Sequence, residues 1–133
     1  MSLKRAVVTG LGALTPVGNT AEETWNNLVA GTSGAGPITR FDATLFKTHF
    51  ACEVKDFQPN DLLDRKEARR MDRFTQFGVV VANEAIADSG LDFDKEDLDR
   101  IGVIWGSGIG GIDTFFEQVK GFVDDDLNPR FNP

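Results

Sequence analysis

Gly106-Ser107-Gly108-Ile109-Gly110-Gly111 has the spacing G-x-G-x-x-G between an apolar run and an amphipathic one. Glycines in that setting let backbone N–H groups approach a pyrophosphate at a helix N-terminus. The acidic residue that would hold a ribose should end a following strand. Asp124, Asp125 and Asp126 stand at about the right distance, but they close a helical pattern with no strand between. The same residues also make a tight strand-to-helix turn, the commoner use of such a spacing. Thr9-Gly10-Leu11-Gly12 begins the same pattern, yet Leu14 and Thr15 occupy the places where a third glycine is needed.

Arg65, Lys66, Arg69, Arg70 and Arg73 put five of the fourteen basic residues into nine positions, opposed there by only Glu67 and Asp72. At i, i+3, i+4 spacing, Lys66, Arg69, Arg70 and Arg73 share one helical face. Such a run reads either as a solvated face ion-paired with Asp64, Glu67 and Asp72, or as a dock that steers an acidic partner. His49 and Cys52 are the sole histidine and cysteine. A Cys–His nucleophile pair needs the two in contact and an orienting third group. Three residues apart on an extended chain they face opposite ways, and no orienter is evident, so Cys52 reads as a small buried hydrophobe and His49 as a loop residue. No metal-ligand spacing appears and no cofactor is implied.

These residues must be carried by a small set of elements. Ala6-Val7-Val8 reads as a buried strand running into a glycine-rich turn. Thr20 with Glu23 has capping-box spacing, and Trp25, Leu28 and Val29 share a helical face that stops at Gly31. Residues 31–60 read as a loop with apolar anchors at Phe41, Leu45, Phe46 and Phe50, and Ala51 to Val54 as a short edge strand. Asp61 to Ser89 reads as mostly helical and largely buried, with Met71, Phe74, Phe77, Val81 and Ala85 at spacings of three and four. Ile101 to Trp105 is a second buried strand, and Ile112 to Val123 a helix with Phe115, Phe116, Val119 and Phe122 on its apolar side. Continuous apolar strands separated by helices predict an α/β fold with a parallel sheet. Two or three strands are too few for a whole sheet of that kind, so the sequence reads as a fragment.

The chain has 133 residues, 41% apolar and 26% charged, within the range of a globular domain. Its net charge of −7 argues against nucleic acid or an anionic membrane as partner. The apolar stretch after Lys4-Arg5 is broken at once by Thr9 and Gly10, too soon for a signal peptide or a membrane span. A single cysteine fits a reducing, cytoplasmic setting.

Taken in order, several segments resemble the elongating β-ketoacyl-carrier-protein synthases. They are Val7 to Gly12, Pro16-Val17-Gly18-Asn19, Arg65-Lys66-Glu67 with Arg69 to Asp72, Ala87-Asp88-Ser89-Gly90-Leu91, and Gly106 to Gly111. The resemblance runs along essentially the whole chain. Ile109 favours the type II elongating enzymes over type I, which tend to carry glycine there; polyketide ketosynthases share parts of the pattern.

The resemblance implies an incomplete thiolase-like fold, with residues 1–133 a partial N-terminal ketoacyl synthase domain within the first of two α/β halves, in a homodimer. It implies an acyltransferase using acyl and malonyl thioesters of acyl-carrier protein in fatty-acid elongation. A cysteine thiolate at a helix N-terminus would take the acyl chain, and two histidines and an oxyanion hole would serve decarboxylative attack. In the family all of these lie downstream of the matched stretch, so this chain is expected to hold no catalytic residue and to be inactive alone. Three features carry over. Lys66, Arg69 and Arg70 match the carrier-protein dock. Arg130 matches a further basic position of it after a one-residue shift, with Phe131 where some relatives have a second cation. Ile109 matches the residue gating the acyl pocket.

Overall fold

The computed structural model describes residues 4–128. Thr20 caps α1 (Ala21–Val29): its hydroxyl accepts the Glu23 N–H at 3.1 Å. The Glu23 carboxylate reaches back to the Asn19 N–H at 2.7 Å, so the capping box forms with its return bond one residue upstream. The helix stops at Gly31, whose φ of 70° lets Gly31 N–H donate to Leu28 O and Thr32 N–H to Asn27 O, both bonds of a Schellman motif. β1 (Gly36–Pro37) and β2 (Phe50–Ala51) then pair antiparallel, Gly36 opposite Ala51 and Pro37 opposite Phe50.

Residues 59–89 are mostly helical, as the spacing predicts, but the helix is broken twice. It is divided into α2 (Pro59–Leu62), α3 (Arg65–Ala68) and α4 (Arg73–Ser89). Both interruptions fall at aspartates, which favour caps over helix interiors. Asp64 turns its carboxylate onto the N–H groups of Lys66 and Glu67, at 2.8 and 3.1 Å. Asp72 is extended, with φ −60° and ψ 155°, immediately ahead of α4. Apolar periodicity reads through both breaks because it registers faces rather than caps. A 3₁₀ turn at Leu98–Arg100 and α5 (Ile112–Asp124) complete the elements. No helix among the described residues is long and apolar enough to cross a membrane.

The two apolar runs differ from expectation. Ala6 to Val8 and Ile101 to Trp105 pair with no strand among the described residues, and both are exposed, Ile104 completely. A parallel strand is stabilised only by hydrogen-bonded neighbours along its edges, and these residues supply none. Trp25, Leu28, Val29, Phe115 and Phe116 likewise lie open. Few side chains among the described residues are enclosed: Phe57, Ala68 and Val80 are buried, as are Gly18 and Gly78. Phe57 meets Phe77 edge-on at 4.9 Å, and the Arg73 guanidinium lies 5.5 and 5.1 Å from the two ring centres.

The helix α4 is the spine of this arrangement. Residues 10–13 cross it so closely that a Cβ at Gly12 would come 2.1 Å from Val81 O. The glycines of this first turn therefore serve close approach to a helix. Two carboxylates on α4 hold the crossing: Asp88 accepts the Leu11 N–H at 2.8 Å, and Glu84 the Ala13 N–H at 2.8 Å. Glu84 also accepts the Ala21 N–H at 2.7 Å, tying the first turn of α1 to the same point.

Candidate functional site

The basic cluster is built from the cap outward. Asp64 starts α3, and Ala68, 3% exposed, pins it to the core. The chain then tightens, with Arg70 N–H on Glu67 O at 2.9 Å and Met71 N–H on Ala68 O at 3.3 Å. The Gln76 amide fixes this turn to α4 by donating to Ala68 O at 2.8 Å and Met71 O at 3.3 Å. Lys66, Arg69 and Arg70 stand exposed on α3 and the turn after it.

None of the three belongs to an ion pair among the described residues. Two of the three acids that a solvated-face reading assigns to them are otherwise engaged, and Glu67 forms no ion pair among the described residues. Asp64 caps α3, and Asp72 accepts from the Thr114 hydroxyl. Arg73 departs from the expected shared face, because the chain turns at Asp72 and folds Arg73 over Phe57 and Phe77. Burial, then the nearby Arg40, hold its guanidinium below the ordinary arginine value, against Asp113 and Glu53.

Ile109 is 73% exposed and lines a small pocket of about 70 Å³ together with Asp72, Phe74, Gly111 and Ile112. The glycines beside it press on side chains from the start of α4. A Cβ at Gly110 would lie 2.8 Å from the Phe74 ring, and one at Gly111 2.8 Å from Asp72 Oδ2. Gly111 also adopts φ 66°. Asp72 thus sets a carboxylate beside the first turn of α5, where a nucleotide's phosphates would have to bind. That carboxylate disfavours an anion there, and Gly106 to Gly111 acts as a turn leading into α5.

His49 and Cys52 remain apart in role. His49 flanks β2, its carbonyl accepting the Ile38 N–H at 3.0 Å. Cys52 is exposed rather than buried as expected, because it follows β2 at the rim of an open cleft. It lines this cleft, of about 440 Å³, with Arg40, Glu53, Arg73 and Phe77, where Arg40 pairs with Asp113 at 2.8 Å. Arg130 and Phe131 lie outside the described residues. Sequence reasoning missed Glu84, Asp72 as a cross-link, and Phe74 as the floor of the Ile109 loop. Their contacts join segments 36 to 71 residues apart, which no local pattern records.

The chain is 52% identical over 121 residues to 3-oxoacyl-[acyl-carrier-protein] synthase 2 of Staphylococcus aureus strain COL, covering 91% of this chain and 29% of that protein. It thus spans under a third of the length of that relative. Among solved structures, "The ishigamide ketosynthase/chain length factor" superposes with a TM-score of 0.77 at 31% identity, over 96% of this chain and 32% of that one. A beta-ketoacyl synthase from Burkholderia phymatum STM815 gives 0.74 at 25% identity, over 98% and 32%. The backbone is therefore part of a thiolase-like α/β fold, as the resemblance implies, although the apolar runs at 6–8 and 101–105 pair with no strand among the described residues. The profile described as "Beta-ketoacyl synthase, N-terminal domain" matches residues 4–129, and the chain belongs to that family.

Proposed function

We propose that this chain supplies the carrier-docking face and the acyl-gate loop of a 3-oxoacyl-[acyl-carrier-protein] synthase of fatty-acid elongation. The observation that carries the reading is the set of three exposed cations on α3 and the turn after it, Lys66, Arg69 and Arg70, which form no ion pair among the described residues. They occur in a sequence 52% identical to a synthase named for acyl-carrier protein. An acidic carrier protein would be drawn to that face and delivered in a fixed orientation. Ile109 then stands as the gate of the acyl pocket, and Arg130 as an outlying part of the dock. A polyketide ketosynthase reading has weaker support, since the ketosynthase/chain length factor shares 31% identity.

The reaction transfers an acyl group to a cysteine thiolate; malonyl-carrier-protein then loses carbon dioxide, and the carbanion attacks the acyl thioester and expels the thiolate. The nucleophile, its histidines and the oxyanion donors belong to other segments of the protein in this reading. Residues 1–133 form the start of the domain, and the working protein is a cytoplasmic homodimer. The test is condensation itself. The full-length protein that carries this chain should release carbon dioxide and form 3-oxoacyl-carrier-protein, while residues 1–133 alone should form none. Product from residues 1–133, or none from the full-length protein, contradicts the assignment.

A further inference from the structure

The cations of the dock and the Ile109 loop lie on different elements, yet two side chains join them. Asp72 follows Arg70 by two residues and accepts the hydroxyl proton of Thr114, in the first turn of α5. Phe74 follows Asp72 by two and lays its ring against Gly110. Both belong to the segment that Gln76 fixes to Ala68 and Met71. The dock turn, the loop and the start of α5 are thus braced as one unit across 42 residues of sequence. The absence of side chains at 110 and 111 has a specific use here, since a Cβ at either would displace the brace.

We propose that Asp72 and Phe74 are positioning residues, locking the Ile109 loop to the dock so that a docked carrier changes the state of the gate. This deepens the reading above and rests on it. The mechanism is local. Carrier binding fixes the turn that bears Arg69 and Arg70, and the Asp72–Thr114 bond and the Phe74–Gly110 contact pass that restraint to residues 106–111. Thr114 is the better handle, because it lies outside the dock.

Hydrogen–deuterium exchange of the full-length protein, with and without acyl-carrier protein, tests the proposal together with the carrier's affinity. Exchange at 106–111 should slow about fivefold on binding, the lower end of measured couplings. Thr114→Val should abolish that slowing while carrier affinity and exchange in α4 stay unchanged, and Thr114→Ser should restore it. Asp72→Ala should lose the slowing as Thr114→Val does, and the double variant should be no worse than either in that readout, since both remove the same bond. Carrier that binds without slowing 106–111, or slowing that survives Thr114→Val, overturns the proposal and leaves the docking assignment intact. Carrier that does not bind at all overturns both.

Discussion

The two glycine-rich turns of this chain look alike in sequence and do opposite work. Thr9 to Gly12 is pressed onto the backbone of α4, and the N–H groups of Leu11 and Ala13 are taken by Asp88 and Glu84. In the Gly106 to Gly111 turn, Gly110 and Gly111 instead lie against side chains, those of Asp72 just ahead of α4 and Phe74 within it, and Ile109 is left open. A turn held by backbone contact and carboxylate anchors is a structural joint. A turn resting on two side chains, with an exposed branched residue at its tip, is free to answer a neighbour. The lesson is that a glycine pattern specifies close approach, and the group approached decides what the turn does.

The sharpest way to break this contrast is to add one methyl group to each turn. Gly12→Ala would put a Cβ 2.1 Å from Val81 O, backbone that cannot swing aside. We expect a loss of about 3 kcal/mol, read as a fall in the urea midpoint of the full-length protein. Gly108→Ala, with nothing within 4 Å of its Cβ, should stay within about 0.5 kcal/mol. Equal losses at the two positions would erase the distinction.

Between those extremes lies Glu84→Gln. The carboxylate receives two N–H groups at 2.7 and 2.8 Å, and an amide can accept only one of them while its NH₂ opposes the other. A cost of about 2 kcal/mol follows, again read by urea unfolding. A neutral outcome would mean that the first turn is held by packing alone.

The smallest effect concerns the β1–β2 hairpin. The Thr39 hydroxyl, then the Thr39 N–H, hold the Glu53 carboxyl below its ordinary value of 4.5. A lowered folded-state value means that the stabilisation is complete above the ordinary value and fades as pH falls through the lower one. The Tm advantage of the wild type over Thr39→Val, present at pH 7, should therefore shrink on acidification below that range. An advantage that stays constant with pH would remove Glu53 from the account.

Much of this was legible because it is local. Thr20 with Glu23, the stop at Gly31, the end of α4 at Ser89 and the span of α5 are all written in cap residues and apolar spacing within one or two turns. The breaks at Asp64 and Asp72 were not, because a helical apolar period continues through them. The exposed state of Val7, Val8 and Ile101 to Trp105 was missed for a different reason. An apolar run announces that a strand wants burial, and only partners in space provide it. Within the site, the cations were legible as a cluster, but not that Arg73 leaves it for Phe57 and Phe77. Nor could the sequence show that Asp64 and Asp72 are spent on capping and on Thr114.

The central claim is that Lys66, Arg69 and Arg70 are free to receive an acidic carrier protein, and affinity measured against salt tests it most directly. The full-length protein and its Lys66→Glu, Arg69→Glu, Arg70→Glu variant should differ by about tenfold or more in Kd for acyl-carrier protein at low salt. The gap should narrow as ionic strength shortens the range of the field, with Tm the same for both. Equal affinities at low salt, with both proteins folded, would return the three cations to a solvated face and contradict the account.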